Sequence, residues 1–177
     1  MIAIANFSNV QESKQYERLA PGGYVIRITD VQDEPQKQYL TIVYDIAEGA
    51  EAGRYKNEEK EFRHAFVRSY KEKALGMFKT FIKAVDATNG SKLEDQVEKG
   101  LNEKQLVSKL VGVVLGYEEY EANDGTVKER IRVASVLPAD KIRKGEYKVP
   151  DLKRLTAKTS SGIPEGFTAL ADTDLPF

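Results

Sequence analysis

The clearest helix in this chain is Lys71–Ala87, and strand-like runs stand on both sides of it. Leu75, Phe78, Ile82 and Val85 recur there at helical spacing, with Met77 and Phe81 alongside. Asn89-Gly90 supplies the stop signal. Upstream, Pro21-Gly22-Gly23 marks a turn, and Tyr24–Val31 follows with the Val, Ile and Thr enrichment of a strand. Asp33-Glu34-Pro35-Gln36 interrupts it before a second strand, Gln38–Ile46. Alternation puts Leu40, Ile42, Tyr44 and Ile46 on one face of that strand, and Tyr39, Thr41, Val43 and Asp45 on the other. After the charged loop Glu48–Lys60, Glu61–Tyr70 reads as a third strand, with Phe62, His64, Phe66, Arg68 and Tyr70 sharing a face. Downstream of the helix, Leu110–Tyr120 and Val127–Leu137 form two strands joined around Asn123-Asp124-Gly125-Thr126, where Asp-Gly is a strong hairpin signal.

Three strands, a helix and two more strands is the order of a five-stranded OB-fold barrel, with the helix between the third and fourth strands. The expected class is therefore mainly β with helix (α+β). Residues 1–20 read as an N-terminal arm with Phe7, Tyr16 and Leu19 as possible anchors, residues 21–145 as the OB-fold domain, and residues 146–177 as a flexible tail.

Composition narrows the chemistry. The 177 residues include no Cys, which removes disulfides, thiolate metal sites and cysteine nucleophiles, and a single His, which limits a catalytic triad to His64. His64 reads as a surface strand residue whose neighbours support no triad. The acidic runs Glu58-Glu59-Lys60-Glu61 and Glu118-Glu119-Tyr120-Glu121 could suggest Mg²⁺ binding, but alternating charge of this kind is the pattern of a solvated segment. Gly112 and Gly116 lack the Lys-Ser/Thr that would complete a phosphate loop. No enzyme, cofactor or metal is expected. No apolar run approaches the roughly 20 residues that span a bilayer, and nothing reads as a targeting segment, so a cytoplasmic location is expected.

The last six residues, Asp172-Thr173-Asp174-Leu175-Pro176-Phe177, form an acidic tether ending in a stiff apolar hook. Pro176 limits the freedom lost on docking, Phe177 offers a large ring, and Asp172 and Asp174 would steer the hook to a basic rim. This tip resembles that of bacterial single-stranded-DNA-binding proteins, in which an Asp-rich run precedes Ile/Leu-Pro-Phe. The resemblance implies recruitment of replication or repair proteins by Asp172, Asp174, Leu175, Pro176 and Phe177, with Thr173 standing where the acidic run usually continues. The body does not match those proteins. Pro21-Gly22-Gly23-Tyr24-Val25-Ile26-Arg27-Ile28 and Tyr44-Asp45-Ile46-Ala47-Glu48-Gly49 are instead similar to a family of small phage-encoded proteins identified as OB-fold single-stranded-DNA-binding proteins. That resemblance spans roughly residues 20–150. It implies a role in phage replication or recombination.

Binding single strands calls for aromatic platforms and cations along the backbone path. The candidate platforms are Tyr39, Phe62, Tyr70, Tyr117 and Tyr120; Phe66 is the aromatic expected in the core. The candidate cations are Arg63, Arg68, Lys71 and Lys73 around the third strand and Lys128, Arg130 and Arg132 on the last. Alternation puts those last three on one strand face and Ile131 and Val133 on the other, a cationic face suited to phosphates. The same face could instead pair with Glu118 and Glu119 across the hairpin. Alternatives to DNA binding are a protein-only replisome adaptor and, with the least support, a Mg-dependent nuclease. A homodimer is conceivable, since two barrels could share one strand.

The net charge of −1 argues at first against nucleic acid. Residues 165–177 carry Glu165, Asp172 and Asp174 and no Lys or Arg, or −3, which leaves +2 on the rest. The charge is thus partitioned between a mildly cationic body and an acidic hook.

Overall fold

The structure, a computed structural model, describes residues 7–9 and 17–155. The C-terminal tip and most of the N-terminal arm lie outside those residues. Five antiparallel strands form one sheet in the order β3-β2-β1-β4-β5: β1 (Gly22–Glu34), β2 (Tyr39–Ile46), β3 (Ala65–Ser69), β4 (Leu110–Glu121) and β5 (Val127–Leu137). Helix α1 (Leu75–Asn89) lies between β3 and β4 in sequence, as expected, and the short helices α2 (Glu94–Gly100) and α3 (Ala139–Arg143) complete the set. β3 and β5 stand at opposite ends of the hydrogen-bonded order and do not pair, so the sheet is open where the sequence led us to expect a closed barrel.

α1 covers one face of the sheet. Its Phe78, Phe81, Ile82 and Val85 pack with Ile26, Ile28, Leu40, Ile42, Tyr44, Phe66, Val111, Val113 and Leu115. Two bulges keep apolar side chains on this face. The β1–β2 register slips between Ile28 and Asp30, so Ile26 and Ile28 are followed on the core side by Val31 rather than an even-numbered residue. The β4–β5 register slips at Val114/Leu115, and Ile131 and Val133 hand over to Val136 in the same way. Without the extra residue each strand would turn its apolar set to solvent. α1 ends at Gly90 in the left-handed conformation (φ 63°), as the Asn-Gly signal predicts.

A smaller cluster of Val25, Val114, Ala139 and Ile142 sits on the opposite face, where α3 packs. The chain after α3 stays on the body through Leu155, beyond the expected start of the tail. Tyr147 lies on Gly23 and Pro150 on Gly116; a Cβ at those glycines would meet the Tyr147 ring at 2.5 Å and Pro150 Cγ at 2.6 Å. Lys153 then bridges to β4 in parallel, accepting from the Glu119 amide (2.9 Å) and donating to the Tyr117 carbonyl (3.0 Å). Leu155, the last described residue, donates its amide to Glu119 Oε2 (2.9 Å). The described chain therefore ends beside the β4–β5 hairpin.

The third strand is shorter than expected. Glu61–His64 is a 3-10 turn, closed by the Arg63 amide donating to the Lys60 carbonyl (3.0 Å), and extended backbone begins only at Ala65. The turn breaks the alternation. His64, Phe66 and Arg68 point into the protein, while Phe62 is thrown outward. No helix among the described residues is long and apolar enough to cross a membrane.

Candidate nucleic-acid interface

An open cleft of about 470 Å³ lies between the 3-10 turn before β3 and the β4–β5 hairpin. Its walls are Arg18, Phe62, Arg63, Tyr120, Glu129, Arg130 and Ile131. Phe62 is 77% exposed, the most exposed large apolar side chain among the described residues. A ring left in water at that level adds little to the core. Across the cleft, the Arg130 guanidinium lies over the Tyr120 ring at 5.2 Å. Two rings and three guanidinium groups thus share one rim, which is the chemistry that holds unstacked bases and their phosphates.

The hairpin register supports the face assignment made from alternation. Lys128 opposes Tyr120, Arg130 opposes Glu118 and Arg132 opposes Gly116, while Ile131 opposes Tyr117 on the other face. The cross-strand pairing weighed above is also present: Arg130 Nε donates to Glu118 Oε1 at 2.8 Å. Lys128 approaches Asp124 only to 3.9 Å, and Arg132 Nε is buried without a hydrogen-bond partner. The other cleft arginines are paired as well. Arg63 meets Glu58 at 2.8 Å, and Arg18 meets Glu129 at 3.6 Å. Hydrogen bonds from the Lys60 amide and the Arg63 side chain hold the Glu58 carboxyl below its ordinary value.

The remaining expected residues fall elsewhere. Tyr117 is a brace: its hydroxyl donates to the Leu19 carbonyl (2.8 Å), and Arg18 lies 5.9 Å over its ring. Buried Leu19 anchors the arm and carries Arg18 to the cleft. Tyr39, Tyr70, Lys71 and Lys73 sit at the far end of β3, away from Phe62. Tyr39 has Lys37 over its ring at 5.9 Å, and the Tyr70 hydroxyl donates to Asp33 Oδ1 at 2.8 Å. Burial and that hydrogen bond push the Tyr70 phenol up. Tyr70 also lines a second, apolar cleft of about 390 Å³ with Leu40, Leu75, Phe78, Val97 and Leu101, rimmed by Asp33 and Glu103.

Arg68 is 9% exposed, with its guanidinium 4.8 Å over the Phe66 ring and one hydrogen bond to the neighbouring Val67 carbonyl. Burial holds its pKa below the usual arginine value. Phe66 is a core residue, as expected, at 8% exposed. His64 corrects the sequence reading: it is buried, stacked on Tyr55 at 4.8 Å, with Nδ1 2.6 Å from the Tyr44 carbonyl. The 3-10 turn places it there.

Arg18, Glu58, Glu129 and Ile131 were not expected at the site. Arg18 and Ile131 carry no local signal, because their place depends on how the arm and the open sheet edge meet. Among the described residues no group of three or more His, Asp or Glu side chains converges in a way that could hold a metal ion. No protein family matches this chain, and no curated protein matches it at a significant level.

Proposed function

We propose that this protein binds single-stranded DNA without sequence preference, in phage DNA replication or recombination, and recruits replication or repair proteins through Asp172–Phe177. The observation that carries the reading is Phe62, a ring 77% exposed that lines one cleft with Tyr120, Arg18, Arg63 and Arg130. Stacking on such rings contributes about 1–3 kcal/mol per base and tolerates any base. The strand order, with β1 between β2 and β4 and a helix between β3 and β4, is compatible with an OB-type arrangement whose β3–β5 seam is left open. The resemblances of the body and the tip support the same reading. Fluorescence titration with oligo-dT at two salt concentrations tests it: binding at low salt that weakens steeply with added salt is expected.

The arginine–glutamate pairs favour a second reading, a protein-only adaptor whose cleft grips a protein partner. It differs in predicting partner capture with no affinity for oligo-dT at any salt concentration.

A further inference from the structure

The cleft's cations are not open to solvent as a bare positive strip. Arg63 is engaged by Glu58, Arg130 by Glu118 and Arg18 by Glu129, at 2.8, 2.8 and 3.6 Å. Each pair comes from a different element: the loop before the 3-10 turn, the β4–β5 ladder, and the N-terminal arm against the β5 edge. Glu118 also draws Lys153 to 3.8 Å. A phosphate that enters must displace a carboxylate, and the carboxylate stays within a few ångströms of it afterwards.

We infer that Glu58, Glu118 and Glu129 are specificity-determining residues, which make the cleft discriminate single strands from duplex DNA and other polyanions. The inference rests on the single-strand reading above. A duplex brings phosphates but keeps its bases stacked on one another, so in this cleft it exchanges one carboxylate contact for one phosphate contact and meets the displaced carboxylate's repulsion. A single strand brings the same phosphates and also lays bases on Phe62 and Tyr120. Only the second ligand has a source of affinity that the glutamates do not cancel. Selectivity of this kind comes from a repulsive element set against the wrong ligand. The glutamates also damp the salt response, because each displaced carboxylate takes up a cation as the DNA releases one.

The test is a pair of titrations on the full chain, with labelled oligo-dT and with a labelled duplex of equal length, for the wild type and for E58Q/E118Q/E129Q. Glutamine keeps the side-chain shape and can still accept a hydrogen bond from arginine, and circular dichroism checks the fold. The variant is expected to bind duplex about tenfold tighter, while oligo-dT affinity changes by a smaller factor. Its salt slope should steepen towards the full value of about 0.7–0.9 per phosphate contact. E129Q alone, at the more exposed pair, should move both quantities in the same direction. Oligo-dT binding with an unchanged single-strand-to-duplex ratio overturns the inference and leaves the single-strand reading standing. Failure of every protein to bind oligo-dT overturns both.

Discussion

Phe62→Ala separates a binding ring from a packing ring. Phe62 is 77% exposed, so its loss should leave folding stability within about 0.5 kcal/mol, as for surface positions generally. If a base stacks on it, the loss of about 1–3 kcal/mol corresponds to a roughly 5- to 150-fold rise in Kd, at about 1.4 kcal/mol per factor of ten. Phe66, four residues on and 8% exposed, is the matched control. It packs on Tyr44 and Phe81 at ring separations of 5.9 and 6.2 Å, and Phe66→Ala should cost about 3–5 kcal/mol of stability. The assay is fluorescence anisotropy with labelled oligo-dT, with Tm measured on the same preparations. Affinity should fall for Phe62→Ala at constant Tm. A folded Phe62→Ala protein that binds oligo-dT like the wild type would refute the assignment of this cleft.

Other perturbations probe separate parts of the account. Arg68→Met should not lower Tm, since an apolar side chain of similar length escapes the desolvation cost of the buried guanidinium while still covering Phe66, and should leave oligo-dT binding unchanged; loss of binding with the fold intact would put Arg68 on the strand path instead. Asp86 receives hydrogen bonds from Ser91 Oγ (2.6 Å) and from the amides of Leu93 and Glu94 (both 2.9 Å) at the start of α2. Burial pushes its carboxyl up, but those hydrogen bonds outweigh it and the net shift is downward. The stability it adds is therefore present above the ordinary Asp value of about 3.9 and lost as the pH falls through the lower folded value. Asp86→Ala should cost about 1 kcal/mol at neutral pH, with the deficit vanishing in denaturant melts at acid pH. Gly116→Val should free residues 150–155 from β4, read as faster amide exchange at Lys153 and Leu155, because its side chain would occupy the place of Pro150. Deleting Asp172–Phe177 should abolish capture of replication proteins while leaving oligo-dT affinity equal or higher; unchanged pull-downs would remove the recruiting role.

Much of the scaffold was legible because it rests on local periodicity. The Leu75, Phe78, Ile82, Val85 spacing marks α1, the Asp124-Gly125 turn marks the last hairpin, and the Leu40, Ile42, Tyr44, Ile46 face of β2 is buried as its alternation implies. The site was less legible. Alternation carries Phe62 and His64 onto one strand face, but the segment winds into a 3-10 turn that the Arg63 amide opens by donating to the Lys60 carbonyl, and the two side chains go in opposite directions. The bulge in β1 and the one at Val114/Leu115 shift the faces of their strands, and no Gly or Pro announces either. Arg18 reaches the cleft because Leu19 is buried and the Tyr117 hydroxyl holds its carbonyl, contacts 98 residues apart in sequence. The packing of 146–155 was hidden for the same reason: its partners are glycines on β1 and β4, which leave room for a chain without showing which one fills it.

The most direct test of the central claim is an oligo-dT titration of the full chain at low and at moderate salt. Saturable binding at low salt, weaker by a large factor at moderate salt and insensitive to base sequence, is the result the cleft chemistry predicts. No binding at low salt would contradict it.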